Sequence, residues 1–124
     1  MKFRVFGAVT LLGVVAIFAG AANAQKVGGY RDIPKTDSGA KAAAEFAVST
    51  QAEKSNKEIE LVSVHKAERQ VVAGSNYRLC LKITTSGDNG DVTSYVKVVV
   101  YQDLKQEYKL TSWEKSDCGG DDDD

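Results

Sequence analysis

One helical pattern followed by a series of strand-like patterns sets the fold class of this chain of 124 residues. In residues 37–55, small and apolar side chains recur at i, i+3, i+4 and i+7, the spacing of one helix face. These side chains are Ala43, Phe46, Ala47 and Thr50, flanked by Ala44 and Val48. Asp37 or Ser38 suits the N-cap, and Asn56 suits the C-terminal stop. The sequence therefore predicts one helix over residues 37–55, with Phe46 in the core.

Strand patterns occupy most of the chain after this helix. They cover residues 59–72, 77–83, 92–101 and 108–115, and residues 29–34 are a candidate fifth strand. Alternation is strict in residues 77–83, as in a half-buried strand. In residues 59–72 the apolar face changes after Leu61, which predicts a bulge and directs Val62 and Val64 to the opposite face. One helix across a four- to five-stranded antiparallel sheet is an α+β fold.

Three segments are predicted to meet at one edge of this sheet. Alternate turns of an antiparallel meander lie at the same end, so the turns at residues 70–74 and 102–107 fall together. The polar turn at residues 86–91 then lies at the opposite end, and the N-terminal arm (residues 25–30) joins the first two. The turn at residues 70–74 has an apolar tip, and exposed apolar tips usually mark binding surfaces.

The N-terminus has the three parts of a secretory signal peptide. Lys2 and Arg4 supply positive charge, residues 5–18 are almost entirely apolar, and Ala22-Asn23-Ala24 supplies small residues for cleavage. We expect secretion, with the vacuole or another compartment of the secretory pathway as the alternative destination. The predicted division of the chain is a signal peptide over residues 1–24, a folded domain over residues 25–118 and a disordered acidic tail over residues 119–124.

Two cysteines, Cys80 and Cys118, follow the predicted cleavage site, and an oxidising compartment favours their pairing. Cys80 lies within a predicted strand and Cys118 in the polar tail. If another strand separates them, their Cα atoms exceed the roughly 7 Å that a disulfide spans unless the tail folds back. The disulfide is therefore a candidate, and two separate thiols are the alternative.

The sequence offers little support for a catalytic or cofactor site. His65 is the single histidine, and no Cys-x-x-Cys pair supplies a metal or redox site. A net charge of −1 with dispersed lysines argues against a nucleic-acid partner. Four adjacent carboxylates on a disordered tail cannot fix a metal's coordination geometry. We predict a binding protein without catalytic residues, cofactor or metal, and without membrane attachment once the signal peptide is removed.

Several short motifs share one resemblance. Gln70-Val71-Val72-Ala73-Gly74, continued by residues 75–79, has the form Gln-x-Val-x-Gly. Gly28-Gly29-Tyr30 precedes it, residues 45–48 form a Glu-Phe-Ala-Val motif in the helix, and residues 110–112 form Leu-Thr-Ser in the last strand. In this order the motifs resemble those of the cystatin family, reversible inhibitors of papain-like cysteine proteases, and most closely its plant branch, the phytocystatins. The resemblance covers nearly all of residues 25–118.

The resemblance implies a curved sheet around the helix and a wedge that plugs a protease cleft non-covalently. It implies that Val27 occupies an apolar subsite while Gly28 and Gly29 turn the arm away from the catalytic thiol. The residues implied to pack over the cleft are Val71, Val72, Ala73 and Gly74. Gln70 is implied to belong to the same binding segment and to hold the hairpin by hydrogen bonds. The implied partner is a papain-like cysteine protease. We expect a monomer, with a dimer formed by exchange of the first hairpin as the alternative.

The second hairpin departs from the plant pattern, which carries Pro-Trp in this loop. Leu104 and Lys105 stand there instead, and the single tryptophan, Trp113, falls in the last strand when residues 110–112 are matched. Losing a large rigid anchor from an interface can cost on the order of 2 kcal/mol or more. We therefore predict weaker inhibition than in a relative that has the tryptophan.

Two other functions remain open at this stage. A secreted cystatin-fold binding or storage protein with little inhibitory activity is favoured by the altered second hairpin. A thiol enzyme would need Cys80 or Cys118 within hydrogen-bond reach of His65. For the inhibitor, we expect targets among endogenous proteases or, in plant defence, the proteases of feeding insects and pathogens.

Overall fold

The structure, a computed structural model, describes residues 29–118. These residues form β1 (Arg31–Ile33), α1 (Ser38–Ser55), β2 (Ile59–Val72), β3 (Gly74–Gly87), β4 (Gly90–Gln102) and β5 (Tyr108–Ser116). The strands make one antiparallel sheet whose spatial order follows the chain from β1 to β5. The α+β prediction is confirmed, with β1 as the fifth strand. The predicted signal peptide and acidic tail lie outside the described residues and stay predictions.

Helix α1 begins and ends where its sequence signals place it. The Asp37 carboxylate accepts a hydrogen bond from the Ala40 N–H at 2.9 Å, which satisfies a backbone donor that the first turn leaves free. At the other end Asn56 takes the left-handed conformation with φ 58° and stops the helix. Within residues 29–118, no helix is both long and apolar enough to cross a membrane.

The core lies between one face of α1 and the inner face of the sheet. The helix contributes small side chains, which let its backbone lie close to the strands; they are Ala40, Ala43, Ala44, Ala47 and Val48. The strands contribute the large ones, of which Leu79, Leu81, Val98 and Val100 are completely buried. Burying one such side chain stabilises the fold by about 1.5–3 kcal/mol. Phe46 is partly buried against this core, with its ring centroid 5.4 Å from that of Tyr108.

Strand β2 contains two irregularities, between Leu61 and Ser63 and between Val64 and Lys66. The predicted bulge is therefore present, but the prediction that Val64 faces away from Leu61 is wrong. The extra residue at Val62 resets the alternation, so that Leu61 pairs with Ile83 and Val64 with Leu81, and both pack on the core. Val62 itself is 50% exposed.

The turn between β3 and β4 is tighter than predicted. The strands extend to Gly87 and Gly90, which pair with each other, so the turn is reduced to Asp88 and Asn89. Gly90 has φ 108°, a conformation that favours glycine. This turn lies at the end of the sheet opposite Gly74, as the meander requires.

A disulfide between Cys80 and Cys118 crosses the outer face of the sheet, the side away from α1. Cys80 faces outward because its neighbours Leu79 and Leu81 fill the core. The chain after β5 folds back over β4, which brings the Cys118 sulfur within 3.9 Å of the Val96 carbonyl oxygen and the two Cα atoms to 6.0 Å. A disulfide is compatible with an oxidising compartment.

Candidate functional site

The first hairpin presents apolar side chains at one end of the sheet. Strand β2 ends at Val72 and β3 begins at Gly74, so Ala73 alone separates them. Val71 is 63% exposed and Ala73 is exposed, whereas Val72 and Gly74 are half-buried. Exposed apolar groups at the tip of a rigid hairpin have no folding role in the free protein, so the tip is a candidate contact surface.

Side-chain hydrogen bonds brace the base of this hairpin. Asn76 donates from Nδ2 to Gln70 Oε1 at 3.0 Å, across one cross-strand pair. Arg69 donates from Nε to Ser75 Oγ at 3.2 Å. Gln70 therefore lies below the tip, where it helps to fix the two strands. A surface that is already rigid loses less conformational entropy when a partner binds.

Gly74 brings the first hairpin against the second. Its φ of 106° is rarely adopted by residues with a side chain. A Cβ placed there would collide with the Gln102 carbonyl oxygen and lie 3.2 Å from the Asp103 Cα. The Tyr101 hydroxyl donates a hydrogen bond to the Ala73 carbonyl, which joins the two hairpins at their tips. The glycine thus permits the contact, and Tyr101 holds it.

The second loop, residues 103–107, is organised by one carboxylate. Asp103 Oδ1 accepts hydrogen bonds from the Lys105 and Glu107 backbone N–H groups, each at 2.9 Å. The Asp103 N–H also donates to the Glu107 carbonyl at 2.9 Å. These bonds close the loop and leave Leu104 78% exposed. Leu104 and Lys105 are therefore both exposed at the end of the sheet that carries Val71.

The N-terminal arm reaches the same edge through β1. Arg31 pairs with Arg69 in β2, so the residue before β1 runs toward the hairpin tip. Gly29, Arg31, Arg69 and Val71 line a shallow depression between the arm and the hairpin. Of the three arm residues predicted to bind, the structure describes Gly29, which is exposed; Val27 and Gly28 lie outside the described residues.

A cluster of charge and aromatic contacts on the outer face connects the arm to β3. Arg78 donates from Nε to Glu68 Oε1 at 2.8 Å, and its guanidinium carbon lies 4.0 Å from the centroid of the Tyr30 ring. The hydrogen bond from Arg78 lowers the pKa of Glu68 below its ordinary value. The same bond raises the pKa of Arg78. The guanidinium is thus held charged between a carboxylate and an aromatic face.

Trp113 lies away from the candidate edge. It sits in β5, pairs with Val98 and packs against the core. The second loop therefore contains no tryptophan, in agreement with the match of residues 110–112 to the last strand.

Arg78, Tyr101 and Asp103 have no role predicted from the sequence, and Tyr30 enters there only as the end of the Gly28-Gly29-Tyr30 motif. Asp103 carried a local signal, since an aspartate at a loop start often accepts hydrogen bonds from backbone N–H groups further along. The roles of Tyr101 and Arg78 depend on partners 28 and 10 residues away, respectively, which no local pattern indicates.

The chain resembles known protease inhibitors in sequence. Residues 31–116 match the family model described as aspartic acid proteinase inhibitor. L-cystatin of Tachypleus tridentatus is 34% identical over 98 residues, covering 77% of this chain and 69% of that protein. Cysteine proteinase inhibitor 5 of Arabidopsis thaliana is 33% identical over 116 residues, covering 93% of each chain.

This chain belongs to the cystatin family. The crystal structure of a salivary cystatin from the soft tick Ornithodoros moubata superposes on it with a TM-score of 0.59 and 26% identity, covering 72% of this chain and 97% of that one. This places the chain in a family of protease inhibitors and not of enzymes. We call the exposed edge formed by Gly29, the first hairpin and the second loop the wedge edge.

Proposed function

We propose that this cystatin inhibits papain-like cysteine proteases by placing its wedge edge in the active-site cleft without forming a covalent bond. The observation that supports this most strongly is the convergence of three separate segments at one end of the sheet. Gly29 precedes β1 beside Val71, the first hairpin projects at Ala73, and the second loop projects at Leu104. The hydrogen bond from the Tyr101 hydroxyl to the Ala73 carbonyl already joins the two hairpins, and the bond from Asn76 to Gln70 braces the first one.

The driving force would be burial of apolar side chains that the free protein leaves in water. Val71 is 63% exposed and Leu104 is 78% exposed. Complete burial of such a side chain is worth about 1.5–3 kcal/mol, so covering the exposed parts contributes about 1–2 kcal/mol each. Backbone groups of the hairpin tip would add hydrogen bonds to the cleft walls. Because the loops are preformed, little of this gain is lost to ordering.

The test is titration of active papain with the chain that starts at residue 25, with and without residues 25–29. We expect reversible, stoichiometric inhibition that weakens when the arm is removed. Val71→Asp and Leu104→Asp should each raise the inhibition constant at least tenfold, because a carboxylate would be desolvated in the complex. Val62→Asp and Val92→Asp are matched controls, since these valines are 50% and 59% exposed but lie away from the wedge edge. Equal effects of all four substitutions would refute the proposal.

We further propose that the protein is secreted after cleavage behind Ala24 and that it resembles phytocystatins in its role. The signal-like residues 1–24 and the Cys80–Cys118 disulfide support secretion. The relative from Arabidopsis thaliana supports the plant branch. Sequencing the N-terminus of the protein recovered from a secreting host tests the cleavage site: a start at Gln25 is expected, and an intact Met1 would contradict it.

A second candidate function is inhibition of an aspartic protease. The match of residues 31–116 to the aspartic acid proteinase inhibitor model favours it. Pepsin assayed with the same variants separates the two candidates. The cysteine-protease proposal is supported if the parent chain inhibits papain but not pepsin, and if Leu104→Asp weakens the inhibition of papain. The reverse result supports the aspartic-protease function, and inhibition of neither enzyme favours a cystatin-fold binding or storage protein.

A further inference from the structure

The arm is attached to the sheet by a short strand. Strand β1 contains only Arg31–Ile33, which pair with Arg69, Glu68 and Ala67. Tyr30 precedes this ladder and is half-buried, whereas the adjacent Gly29 is exposed. Whatever holds Tyr30 therefore fixes the direction in which the chain leaves the sheet toward the wedge edge.

Arg78 is the residue placed to hold it. Arg78 and Glu68 are direct cross-strand partners, and their side chains on the outer face meet at 2.8 Å. This bond anchors the guanidinium, whose carbon lies 4.0 Å from the Tyr30 ring centroid. A cation over an aromatic face at this distance is attracted by the ring quadrupole. The side-chain exposures of 38% for Arg78 and 18% for Glu68 leave the ion pair only partly in water.

We propose that Arg78 is a positioning residue for protease inhibition: together with Glu68 it clamps Tyr30 and so orients the arm for entry into the protease cleft. This inference rests on the proposed function. Arg78 itself lies on the outer face of the sheet and acts on the protease through Tyr30. Its removal should affect the part of the affinity that the arm supplies and leave the two hairpins in place.

The first measurement is made in the free protein, where no protease is needed. In Arg78→Met we expect the backbone amides of residues 29–33 to exchange with solvent faster than in the parent chain. Lys82→Met is the matched control, since Lys82 also faces outward on β3 and its loss removes the same charge away from Tyr30. Equal exchange in the two variants would overturn the clamp.

The second measurement is a double-mutant cycle in papain inhibition. Arg78→Met and Tyr30→Leu should each raise the inhibition constant about 3- to 10-fold, the range that corresponds to one partly exposed cation–π contact. The double variant should be no weaker than the single ones, and Tyr30→Phe, which keeps the ring, should inhibit like the parent. Independent, additive effects would overturn the proposal, as would a tenfold loss in Tyr30→Phe.

Failure of the clamp and failure of the proposed function give different results. A parent chain that inhibits papain while Arg78→Met inhibits equally well overturns the clamp alone. A parent chain that does not inhibit papain overturns both the proposed function and the positioning role that depends on it. Lower thermal stability of Arg78→Met with an unchanged inhibition constant would assign Arg78 a purely structural role.

Discussion

Replacing Gly74 with alanine should push the two hairpins of the wedge edge apart. At φ 106° the new Cβ would meet the Gln102 carbonyl oxygen, with the Tyr101 hydroxyl at 3.1 Å and the Asp103 Cα at 3.2 Å. Two of these three neighbours are backbone atoms, which cannot rotate away as a flexible side chain would. Relief of the collision therefore requires movement of the first hairpin, the second hairpin or both.

The expected cost has two parts. A residue with a side chain held at such a positive φ costs about 1–3 kcal/mol. Separation of the hairpins also breaks the hydrogen bond from Tyr101 to the Ala73 carbonyl, worth about 0.5–1.5 kcal/mol. Gly90→Ala is the control because Gly90 has a nearly identical φ of 108° and nothing within 4 Å of the added Cβ. Gly74→Ala should thus lose about 1 kcal/mol more unfolding free energy than Gly90→Ala.

Denaturant unfolding and papain inhibition together test this reasoning. Both variants should remain folded at 25 °C, so that affinity is compared between native proteins. Gly74→Ala should inhibit at least about tenfold more weakly than the parent, equivalent to about 1.4 kcal/mol, because the displaced tips no longer fit one cleft together. Gly90→Ala should inhibit like the parent. Equal stability and equal inhibition in the two variants would refute the role assigned to Gly74.

Further predictions concern the second loop, the outer face and the disulfide. Leu104→Trp should tighten papain inhibition about tenfold or more by supplying a rigid aromatic anchor, and an unchanged inhibition constant would contradict the assignment of this loop to the interface. Because the hydrogen bond from Arg78 lowers the pKa of Glu68, this carboxylate stabilises the fold above its ordinary pKa of 4.5, and that contribution disappears as the pH falls through the lowered value. The parent should therefore be more stable than Glu68→Gln at pH 7, by less than about 1 kcal/mol for an ion pair that is still partly in water, and this advantage should vanish in acid. An advantage that grows in acid would contradict the prediction. Replacing both Cys80 and Cys118 with alanine should lower the unfolding free energy by up to about 4 kcal/mol, because the disulfide closes a loop with a 38-residue separation. The variant should still inhibit papain under conditions in which it is folded. Loss of inhibition in the folded variant would indicate that the outer face takes part in binding.

The helix and the strand pairing could be predicted from local patterns. The Asp37 cap, the alanine face and the Asn56 stop each act within a few residues of the chain, so the bounds of α1 follow from sequence alone. The coincidence of the first hairpin and the second loop at one edge follows from counting the reversals of a meander. These features are set by local chemistry or by chain order.

The remaining features depend on contacts between distant residues. The face of Val64 was predicted wrongly because sequence alternation cannot reveal that Val62 is accommodated as an extra residue opposite β3. The pairing of Cys80 with Cys118 required the chain to fold back over β4, which no local pattern dictates. The contact of Tyr101 with Ala73 arises only when both hairpins are in place.

The most direct test of the wedge edge is tight-binding titration of papain by the chain starting at residue 25. We expect one inhibitor to abolish the activity of one enzyme molecule, activity to return on dilution, and the inhibitor to be recovered uncut at Ala73. We also expect Val71→Asp to abolish or severely weaken this inhibition while the equally folded Val62→Asp retains it. If the parent chain does not inhibit papain, or if papain cleaves the parent chain at the first hairpin, the proposed inhibition by the wedge edge is wrong.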